Sequence, residues 1–327
     1  MKVAWFDAEE WEKNYLGDVE GLEIDFFDES LDSRALEKAE GYDAVTVFVS
    51  SEVDSEVIEE LDVNQIACRS TGFDHVDTEK AAKEGIIVSN VPDYGGTTVA
   101  EHTFGLILSL TRKIYRAVEK VDQGDFDHSG LRGIDLKGKK LGVIGTGTIG
   151  KNVIRIANGF DMHVIAYDVE KDHEAAHQMG YMYVDLEDLL RDADIITLHC
   201  PLVQQNRHML SEEEFQLMDG AILVNTARGE LIDTEALIEA LEQDNVEAAG
   251  LDVLEEECYI EDDIEMLGDL KAGCDPEVIL EDHILINRDD VIITPHNAFN
   301  SREAMQRIVD STIDNLRKKV NVVNKPW

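Results

Sequence analysis

The amino-acid sequence predicts an α/β protein with two doubly wound parallel-sheet domains. The chain has 327 residues, which is too long for one small domain. Apolar runs of strand length alternate with amphipathic segments of helix length, and this alternation starts twice, at the N-terminus and again at Lys140. Near-continuous apolar strands that alternate with helices are typical of a parallel sheet covered by helices.

The first series of predicted elements fills about the first hundred residues. Its predicted strands are Lys2–Phe6, Ala44–Val49, Gln65–Arg69 and Ile86–Asn90. Amphipathic segments at Ser55–Leu61 and Thr78–Glu84 predict helices between them. The pattern from Val99 to about Gln123 then predicts one long helix with a broad apolar face. This half contains no glycine-rich phosphate loop, so we expect the nucleotide site elsewhere.

The second series begins at Lys140 and predicts a sheet with five crossovers. Its predicted strands are Leu141–Ile144, His163–Tyr167, Ile195–His199, Ala221–Asn225, Ala248–Asp252 and Val291–Thr294. Right-handed crossovers between such strands give a doubly wound sheet. The last segment, Ser301–Lys319, is helical in pattern, and we expect it to pack on the first domain.

The charge of the chain is extreme, since 70 acidic residues face only 29 Lys and Arg, a net charge of -41. Such a charge argues against nucleic acids and anionic membranes as partners, because their phosphates would be repelled. The acidic residues are spread through amphipathic segments, which is compatible with a well-solvated surface. A sharper hypothesis is an enzyme from a cell with high internal salt, where ions screen the repulsion.

Other compositional features indicate a cytoplasmic protein. No run of about 18 apolar residues exists, and acidic residues follow the N-terminus too soon for a signal peptide. The four cysteines have no CxxC spacing and predict buried apolar residues in a reducing compartment, with no metal site. They are Cys68, Cys200, Cys258 and Cys274.

The strongest single motif is a glycine-rich loop at the start of the second series. Gly145, Gly147 and Gly150 form a G-x-G-x-x-G pattern that follows an apolar strand and opens a helix. In that context the loop residues, with Thr146, Thr148 and Ile149, predict a dinucleotide pyrophosphate site at a helix N-terminus. Asp168 ends the next strand and is suited to the adenine-ribose hydroxyls. No Arg follows it directly, which favours NAD over NADP.

Three further segments place reactive side chains directly after predicted strands. Arg228 follows the fourth strand of the second series, Glu257 lies after the fifth, and His296 follows the sixth. Because ligands of open α/β sheets bind beyond the carboxyl ends of the strands, these side chains are expected to converge.

With these segments the sequence resembles the D-isomer-specific 2-hydroxyacid dehydrogenases over nearly its full length. The matching motifs are Arg69–Asp77, Asn90–Pro92, Ala100–His102, the glycine-rich loop, His199–Leu202 and the segments around Arg228, Glu257 and His296. The resemblance implies two Rossmann-like domains, with a substrate domain of residues 1–100 and 299–327 and an inserted NAD domain of residues 101–298. It also implies a homodimer, to which the helix near Glu101 contributes, and adds His199, Pro201, Thr226, Ala227 and Asp252 to the cofactor site.

The same resemblance implies a reaction that suits these residue types. His296 is the expected proton donor for the substrate oxygen, since imidazole titrates near neutral pH. Glu257, five residues after Asp252 as in the family, is expected to favour the imidazolium. Arg228 is expected to bind the substrate carboxylate and polarise the keto group. The backbone N–H groups of Ser70, Thr71 and Gly72 would hold that carboxylate from the opposite domain, with cleft closure excluding water.

The substrate is less defined than the reaction. Cys258 stands where the family often has Pro, and the long segment Cys258–Asp290 resembles the D-lactate dehydrogenase branch. Tyr94 and Phe299 are candidates to line the pocket that selects the substrate side chain; the alternative is that they are ordinary packing residues. We therefore expect pyruvate and D-lactate as the leading pair. A glyoxylate/hydroxypyruvate reductase is the nearest alternative, and an NAD-sensing corepressor-type interaction protein is a more distant one.

Overall fold

The computed structural model describes residues 1–255 and 276–324. By the clustering of contacts the chain divides into two compact units. Met1–Tyr94 and Asn300–Trp327 form the first unit, and Gly95–Phe299 form the second. Each unit contains one parallel sheet, so the predicted α/β class with two parallel-sheet domains is confirmed.

The first unit contains a five-stranded parallel sheet in the order β2-β1-β3-β4-β5. Its strands are β1 (Lys2–Trp5), β2 (Glu23–Phe26), β3 (Ala44–Val47), β4 (Gln65–Cys68) and β5 (Ile87–Ser89). Its helices are α1 (Glu10–Leu16), α2 (Ser55–Glu60), α3 (Thr78–Glu84) and the C-terminal α12 (Arg302–Lys318), with a 3-10 turn at Leu36–Ala39. All residues of the central strands β3 and β4 are buried, which is why both are mostly apolar, with Thr46 and Gln65 as the polar exceptions.

The C-terminal helix α12 packs on one face of this sheet, as the sequence predicts. Val309 and Leu316 of α12 share an apolar cluster with Val3 and Trp5 of β1. The buried Asn315 adds polar contacts, since its side chain donates to the carbonyl of Asn90 at 2.7 Å. The last element of the chain therefore completes the core of the first unit.

The second unit contains a seven-stranded sheet among the described residues, in the order β12-β11-β10-β9-β6-β7-β8. Its strands are β6 (Lys140–Ile144), β7 (His163–Tyr167), β8 (Met182–Tyr183), β9 (Ile195–Leu198), β10 (Ala221–Asn225), β11 (Val246–Leu251) and β12 (Val291–Ile293). Its helices are α4 (Gly96–Thr111), α5 (Ile114–Asp122), α6 (Thr148–Gly159), α7 (His173–Met179), α8 (Leu186–Asp192), α9 (Glu212–Phe215), α10 (Thr234–Glu242) and α11 (Pro276–Ile286). Short 3-10 turns lie at Gln204–Asn206 and Gly229–Leu231.

The strand order of the second unit reverses between β6 and β9, which are neighbours in the sheet. Apolar clusters cover both faces of the sheet. One contains Phe104, Leu106 and Ile107 of α4, and the other contains Leu189 of α8 and Leu237 of α10. A topological switch point in a doubly wound sheet is where ligands bind, so the fold directs attention to the loops after β6 and β9.

Some elements differ from the sequence-based prediction. The single long helix predicted from Val99 to about Gln123 is wrong, because α4 ends at Thr111 and α5 starts at Ile114. The chain turns at Lys113, whose φ of 50° lies in the left-handed region. Strands β2 and β8 were not predicted, and both are only partly buried, with weak apolar patterns.

Of the two described cysteines, one is buried as expected. Cys68 is buried, whereas Cys200 is only half-buried, and neither forms a disulfide with a described residue. Burial raises the pKa of the Cys68 thiol to about 12 and that of Cys200 to about 11. Cys258 and Cys274 lie outside the described residues. Within the described residues, no helix is long and apolar enough to span a membrane, and no group of three metal-ligating side chains is found.

Candidate active site

The glycine-rich loop of the second unit lies between β6 and α6. Gly145 has a φ of 92°, and a Cβ there would lie 2.6 Å from the backbone nitrogen of Cys200. A Cβ on Gly150 would lie 2.0 Å from the carbonyl oxygen of Gly145. Glycine is therefore required at both positions, the first for the tight turn and the second for the close helix–strand approach.

The space above the loop suits a diphosphate. A Cβ added at Gly147 would meet no described heavy atom within 4 Å. The N–H groups of Thr148, Ile149 and Gly150 belong to the first turn of α6 and have no acceptor within the helix. No acidic residue occupies that first turn. The loop thus presents N–H groups and the positive end of a helix to an open space, which fits the pyrophosphate of a dinucleotide.

Asp168 follows β7 and lies beside this loop. Its Oδ2 accepts hydrogen bonds from the backbone N–H of Thr146 at 2.6 Å and from the Thr146 hydroxyl at 2.9 Å. Burial tends to raise the pKa of Asp168, but the hydrogen bonds from Thr146 and Glu170 outweigh burial and lower it. Asp168 is therefore ionised at neutral pH and available to ribose hydroxyls. Tyr183, which the sequence analysis missed, adds a contact of 2.7 Å between its hydroxyl and that of Thr146.

The other predicted cofactor residues follow β9 and β10. Both ring nitrogens of His199 are buried and lack a hydrogen-bond partner among the described residues, and burial lowers the pKa of this imidazole to about 3. Pro201 is exposed. Thr226 is buried, with its hydroxyl 3.1 Å from that of Thr103, and Ala227 is half-buried. Since both ring nitrogens are buried in this structure, a contact between His199 and the cofactor stays a prediction.

Arg228 is positioned by the turn that follows β10. The side chain of Asn225 accepts from the N–H of Ala227 at 2.9 Å and donates to the carbonyl of Arg228 at 2.8 Å. A Cβ on Gly229 would lie 2.0 Å from the carbonyl oxygen of Leu254, so this turn packs directly on the chain after β11. The Arg228 guanidinium donates to the carbonyl of Ala227 but pairs with no described carboxylate.

The loop that carries His296 is held by a buried carboxylate. Both oxygens of Asp252 accept hydrogen bonds from this loop: Oδ1 from the Thr294 hydroxyl at 2.5 Å and the Asn297 N–H at 3.0 Å, and Oδ2 from the Ala298 N–H at 2.8 Å. The N–H of His296 donates to the carbonyl of Asp252 at 2.8 Å. His296 itself has a φ of 47°, a left-handed conformation that a non-glycine residue keeps only when its surroundings enforce it.

His102 of α4 completes the surroundings of Asp252. Its Nε2 lies 3.4 Å from Asp252 Oδ1 and 3.1 Å from the Thr294 hydroxyl. Burial tends to raise the pKa of Asp252, but the hydrogen bonds from His102, Thr294 and Ala298 outweigh it and lower the pKa. Asp252 was predicted as a cofactor contact, and that role stays a prediction. The contacts of its carboxylate show that it fixes the conformation of the His296 loop.

Glu257 lies outside the described residues. Two positions earlier, the side chain of Glu255 is 4% exposed and accepts hydrogen bonds from Arg207 at 2.8 Å, His208 at 2.6 Å and Thr234 at 3.1 Å. This cluster was not predicted from the sequence, since its members are far apart in the chain. It anchors the chain that leaves β11.

In the first unit, the segment Ser70–Gly72 after β4 forms an unusual turn. All three of its carbonyl groups are occupied: Ser70 accepts from the Val91 N–H at 2.9 Å, Thr71 from the Asn90 side chain at 2.7 Å, and Gly72 from the Ser70 hydroxyl at 2.6 Å. None of the described residues accepts a hydrogen bond from the three backbone N–H groups. Successive free N–H groups form a concave site for an anion such as a carboxylate.

The two candidates for the substrate pocket are both half-buried. Tyr94 is the last residue of the first stretch of the first unit, and its carbonyl accepts from the Arg307 side chain at 2.8 Å. Phe299 is the last residue of the second unit. Their part in a pocket stays a prediction.

Comparison with known proteins identifies the relatives of this chain. Residues 104–298 match the family model described as D-isomer specific 2-hydroxyacid dehydrogenase, NAD binding domain. The D-lactate dehydrogenase of Escherichia coli is 38% identical over 97% of this chain and 96% of its own length.

Solved structures agree with the sequence matches. The apo-structure of D-lactate dehydrogenase from Escherichia coli has a TM-score of 0.85 and 36% identity, and covers 99% of this chain and 100% of that one. D-Lactate dehydrogenase from Aquifex aeolicus, complexed with NAD and lactic acid, has a TM-score of 0.84 and 31% identity with the same coverage. With the glycine cradle, these findings confirm NAD as the cofactor.

The position of Asp168 gives a prediction for cofactor binding. Asp168→Asn removes the carboxylate that is predicted to accept ribose hydrogen bonds, and we expect the Kd for NADH to rise about 10- to 100-fold. Discrimination against NADPH should fall, because the repulsion of the 2′-phosphate is lost. Titration of nicotinamide fluorescence measures both values. Asp161→Asn, on the exposed turn before β7, is the control; equal affinities for the Asp168 variant and the wild type would contradict the assignment.

Proposed function

Because this chain belongs to the D-isomer-specific 2-hydroxyacid dehydrogenase family, we propose that it interconverts pyruvate and D-lactate. It is an NAD-dependent oxidoreductase. The observation that carries the proposal is the common origin of three loops: the glycine cradle, Arg228 and His296 follow β6, β10 and β12 of one parallel sheet. The carboxyl ends of parallel strands share one edge, so cofactor, cation and proton donor are presented together.

Each residue has a proposed task in the reduction of the 2-oxo acid. Bound NADH supplies the hydride to the carbonyl carbon. Arg228 binds the substrate carboxylate and polarises the keto oxygen. It is suited to this task because no described carboxylate pairs with its guanidinium. His296 donates the proton to that oxygen, and its left-handed backbone is fixed by the Asp252 network, so the ring needs little reorganisation.

Two further assignments complete the proposed site. Glu257 is proposed to lie beside His296 and to favour its protonated form. The Ser70–Gly72 N–H groups are proposed to bind the substrate carboxylate, supported by their lack of acceptors among the described residues. Domain roles follow: the first unit is proposed to handle the substrate, and the second unit the cofactor. His199, Pro201, Thr226 and Ala227 are proposed to line the cofactor site, and Tyr94 and Phe299 the substrate side chain.

We also propose that the enzyme works in the cytoplasm of a cell with high internal salt. The net charge of -41 supports this, since self-repulsion of that size destabilises a compact chain at low ionic strength. At about 1 M salt the Debye length falls to about 3 Å, and the repulsion is largely screened.

A homodimer is proposed through the segment that was predicted as one helix beginning near Glu101, and within it through α5, the second of the two helices that the structure shows there. Ile114, Val118 and Val121 lie on one face of this helix and are 48%, 54% and 50% exposed. In a chain with so acidic a surface, an exposed apolar stripe favours burial against a second copy of the same helix.

The enzymatic proposal is tested by turnover. NADH oxidation in high KCl should be fastest with pyruvate among pyruvate, phenylpyruvate, 2-ketoisocaproate, hydroxypyruvate and glyoxylate. His296→Ala should lower kcat about 10²- to 10⁴-fold, because the proton donor is lost, while the Kd for NADH stays near the wild-type value. His128→Ala, a fully exposed imidazole, is the control. Absence of turnover with every acid would defeat the enzymatic proposal, and a preference for hydroxypyruvate would defeat the lactate assignment.

The salt proposal predicts a strong dependence of stability on KCl. The Tm should rise steadily from low to molar KCl as the carboxylates are screened, which differential scanning calorimetry measures. A Tm that is the same across this range would show that the acidic surface serves solubility alone.

The dimer proposal is tested at Val118. Light scattering should give the wild type about twice the 36.6 kDa mass of one chain. Val118→Asp should give the monomer mass, because a charge in an apolar interface stays unpaired. Val169→Asp, at a site 86% exposed and remote in sequence, should leave the mass unchanged. A dimeric Val118→Asp variant would exclude α5 as the interface.

A further inference from the structure

The Ser70–Gly72 turn is preceded by an arginine that does not face solvent. Arg69 is 2% exposed, and its partner Glu12 of α1 is 1% exposed. The Arg69 Nη1 donates to Glu12 Oε1, and these residues lie 57 positions apart in the chain. An ion pair removed from water in this way seldom adds net stability, because the loss of hydration offsets the attraction. Its presence directly beside the turn therefore calls for another explanation.

The second terminal nitrogen of Arg69 fixes the end of strand β1. Nη2 donates to the carbonyl of Phe6 at 2.5 Å and to that of Asp7 at 2.8 Å. The guanidinium carbon lies 5.0 Å from the ring centre of Trp5 and 5.5 Å from that of Phe48. Hydrogen bonds and aromatic rings thus hold the planar group in one orientation, which a flexible ammonium would not adopt.

Asp7 extends this network to strand β3. Its φ of 51° is left-handed, and its carboxylate accepts from the Phe48 N–H at 3.0 Å and from the hydroxyls of Ser30, Ser50 and Ser51 at 2.6 to 2.7 Å. Arg69 and Asp7 together connect the carboxyl ends of β1, β3 and β4 with helix α1. The backbone of Arg69 continues directly into the N–H groups of Ser70–Gly72.

We propose that Arg69, paired with Glu12, is a positioning residue for the substrate-carboxylate site. It holds the start of the Ser70–Gly72 turn so that the three N–H groups point at one anion before substrate arrives. This inference rests on the proposed binding of the carboxylate at that turn. On this view the Arg69–Glu12 ion pair contributes to the affinity for the substrate and not to the stability of the domain.

The test replaces both charges at once, because removing only one leaves the other buried and unpaired. In Arg69→Met/Glu12→Leu the domain keeps its apolar packing but loses the ion pair and the hydrogen bonds that the Arg69 guanidinium makes next to the turn. We expect the KM for pyruvate to rise at least tenfold, with kcat within threefold of the wild type and an unchanged Kd for NADH. Arg69→Lys keeps the charge without the planar group and should give an intermediate KM.

Gln65→Leu is the matched control, since Gln65 is equally buried at the other end of β4 and bonds only to Ser89 and to α12. Its KM should equal that of the wild type. Hydrogen exchange of the Ser70–Gly72 amides gives a readout without turnover. Oxamate, a 2-oxo acid analogue, should protect these amides in the wild type and the control, and less in the double variant.

Two results would overturn the inference: a wild-type KM in the double variant, or equal protection by oxamate in all three proteins. A wild type that reduces no 2-oxo acid would instead defeat the proposed function. In that case the inference is tested by the hydrogen-exchange rates of the Ser70–Gly72 amides without oxamate. Faster exchange in the double variant, but not in the Gln65→Leu control, supports a positioning role for Arg69.

Discussion

The parallel direction of the strands is the constraint on which the second unit depends. Each strand in such a sheet delivers its following loop to the same edge, and at the β6/β9 switch the crossovers turn away to either side. This leaves space for a dinucleotide beside Gly145, where even one added methyl group would collide with the backbone of Cys200. Arg228 and His296 each follow a strand of this sheet, β10 and β12, and so lie in loops at the edge where the cofactor is proposed to bind.

Convergence alone does not give the accuracy that catalysis needs, and buried polar groups supply it. Asp252 holds the His296 loop through three hydrogen bonds to its two oxygens, Asn225 shapes the turn before Arg228, and Glu255 anchors the chain beyond β11. These carboxylate and amide groups are satisfied by loop backbone or by side chains from other elements. The rigidity of the loops is therefore built from residues that need not touch the substrate.

The sequence was sufficient for features whose signal is local. The glycine cradle, Asp168 and the positions of Arg228 and His296 after strands all follow from short motifs and apolar runs. The break at Lys113 has no glycine or proline to mark it, and the short strands β2 and β8 have little apolar pattern. The Arg69–Glu12 pair joins residues on separate elements, so the sequence around one residue does not indicate the other as its partner. Long-range polar contacts of this kind become visible only when the chain is folded.

The Ser70–Gly72 N–H groups, for which the described residues supply no acceptor, have a consequence for the rate at which the proposed substrate arrives. The proposed substrate, pyruvate, and NADH are both anions, and a chain with a net charge of -41 is expected to slow their approach in dilute buffer. Uncharged N–H groups attract a carboxylate only at short range, so at the proposed site they would hold the anion without drawing it from a distance. Molar salt removes the long-range barrier and leaves the short-range contacts in place. We therefore expect the association rate constant of the anionic substrate to be larger in molar salt than in dilute buffer.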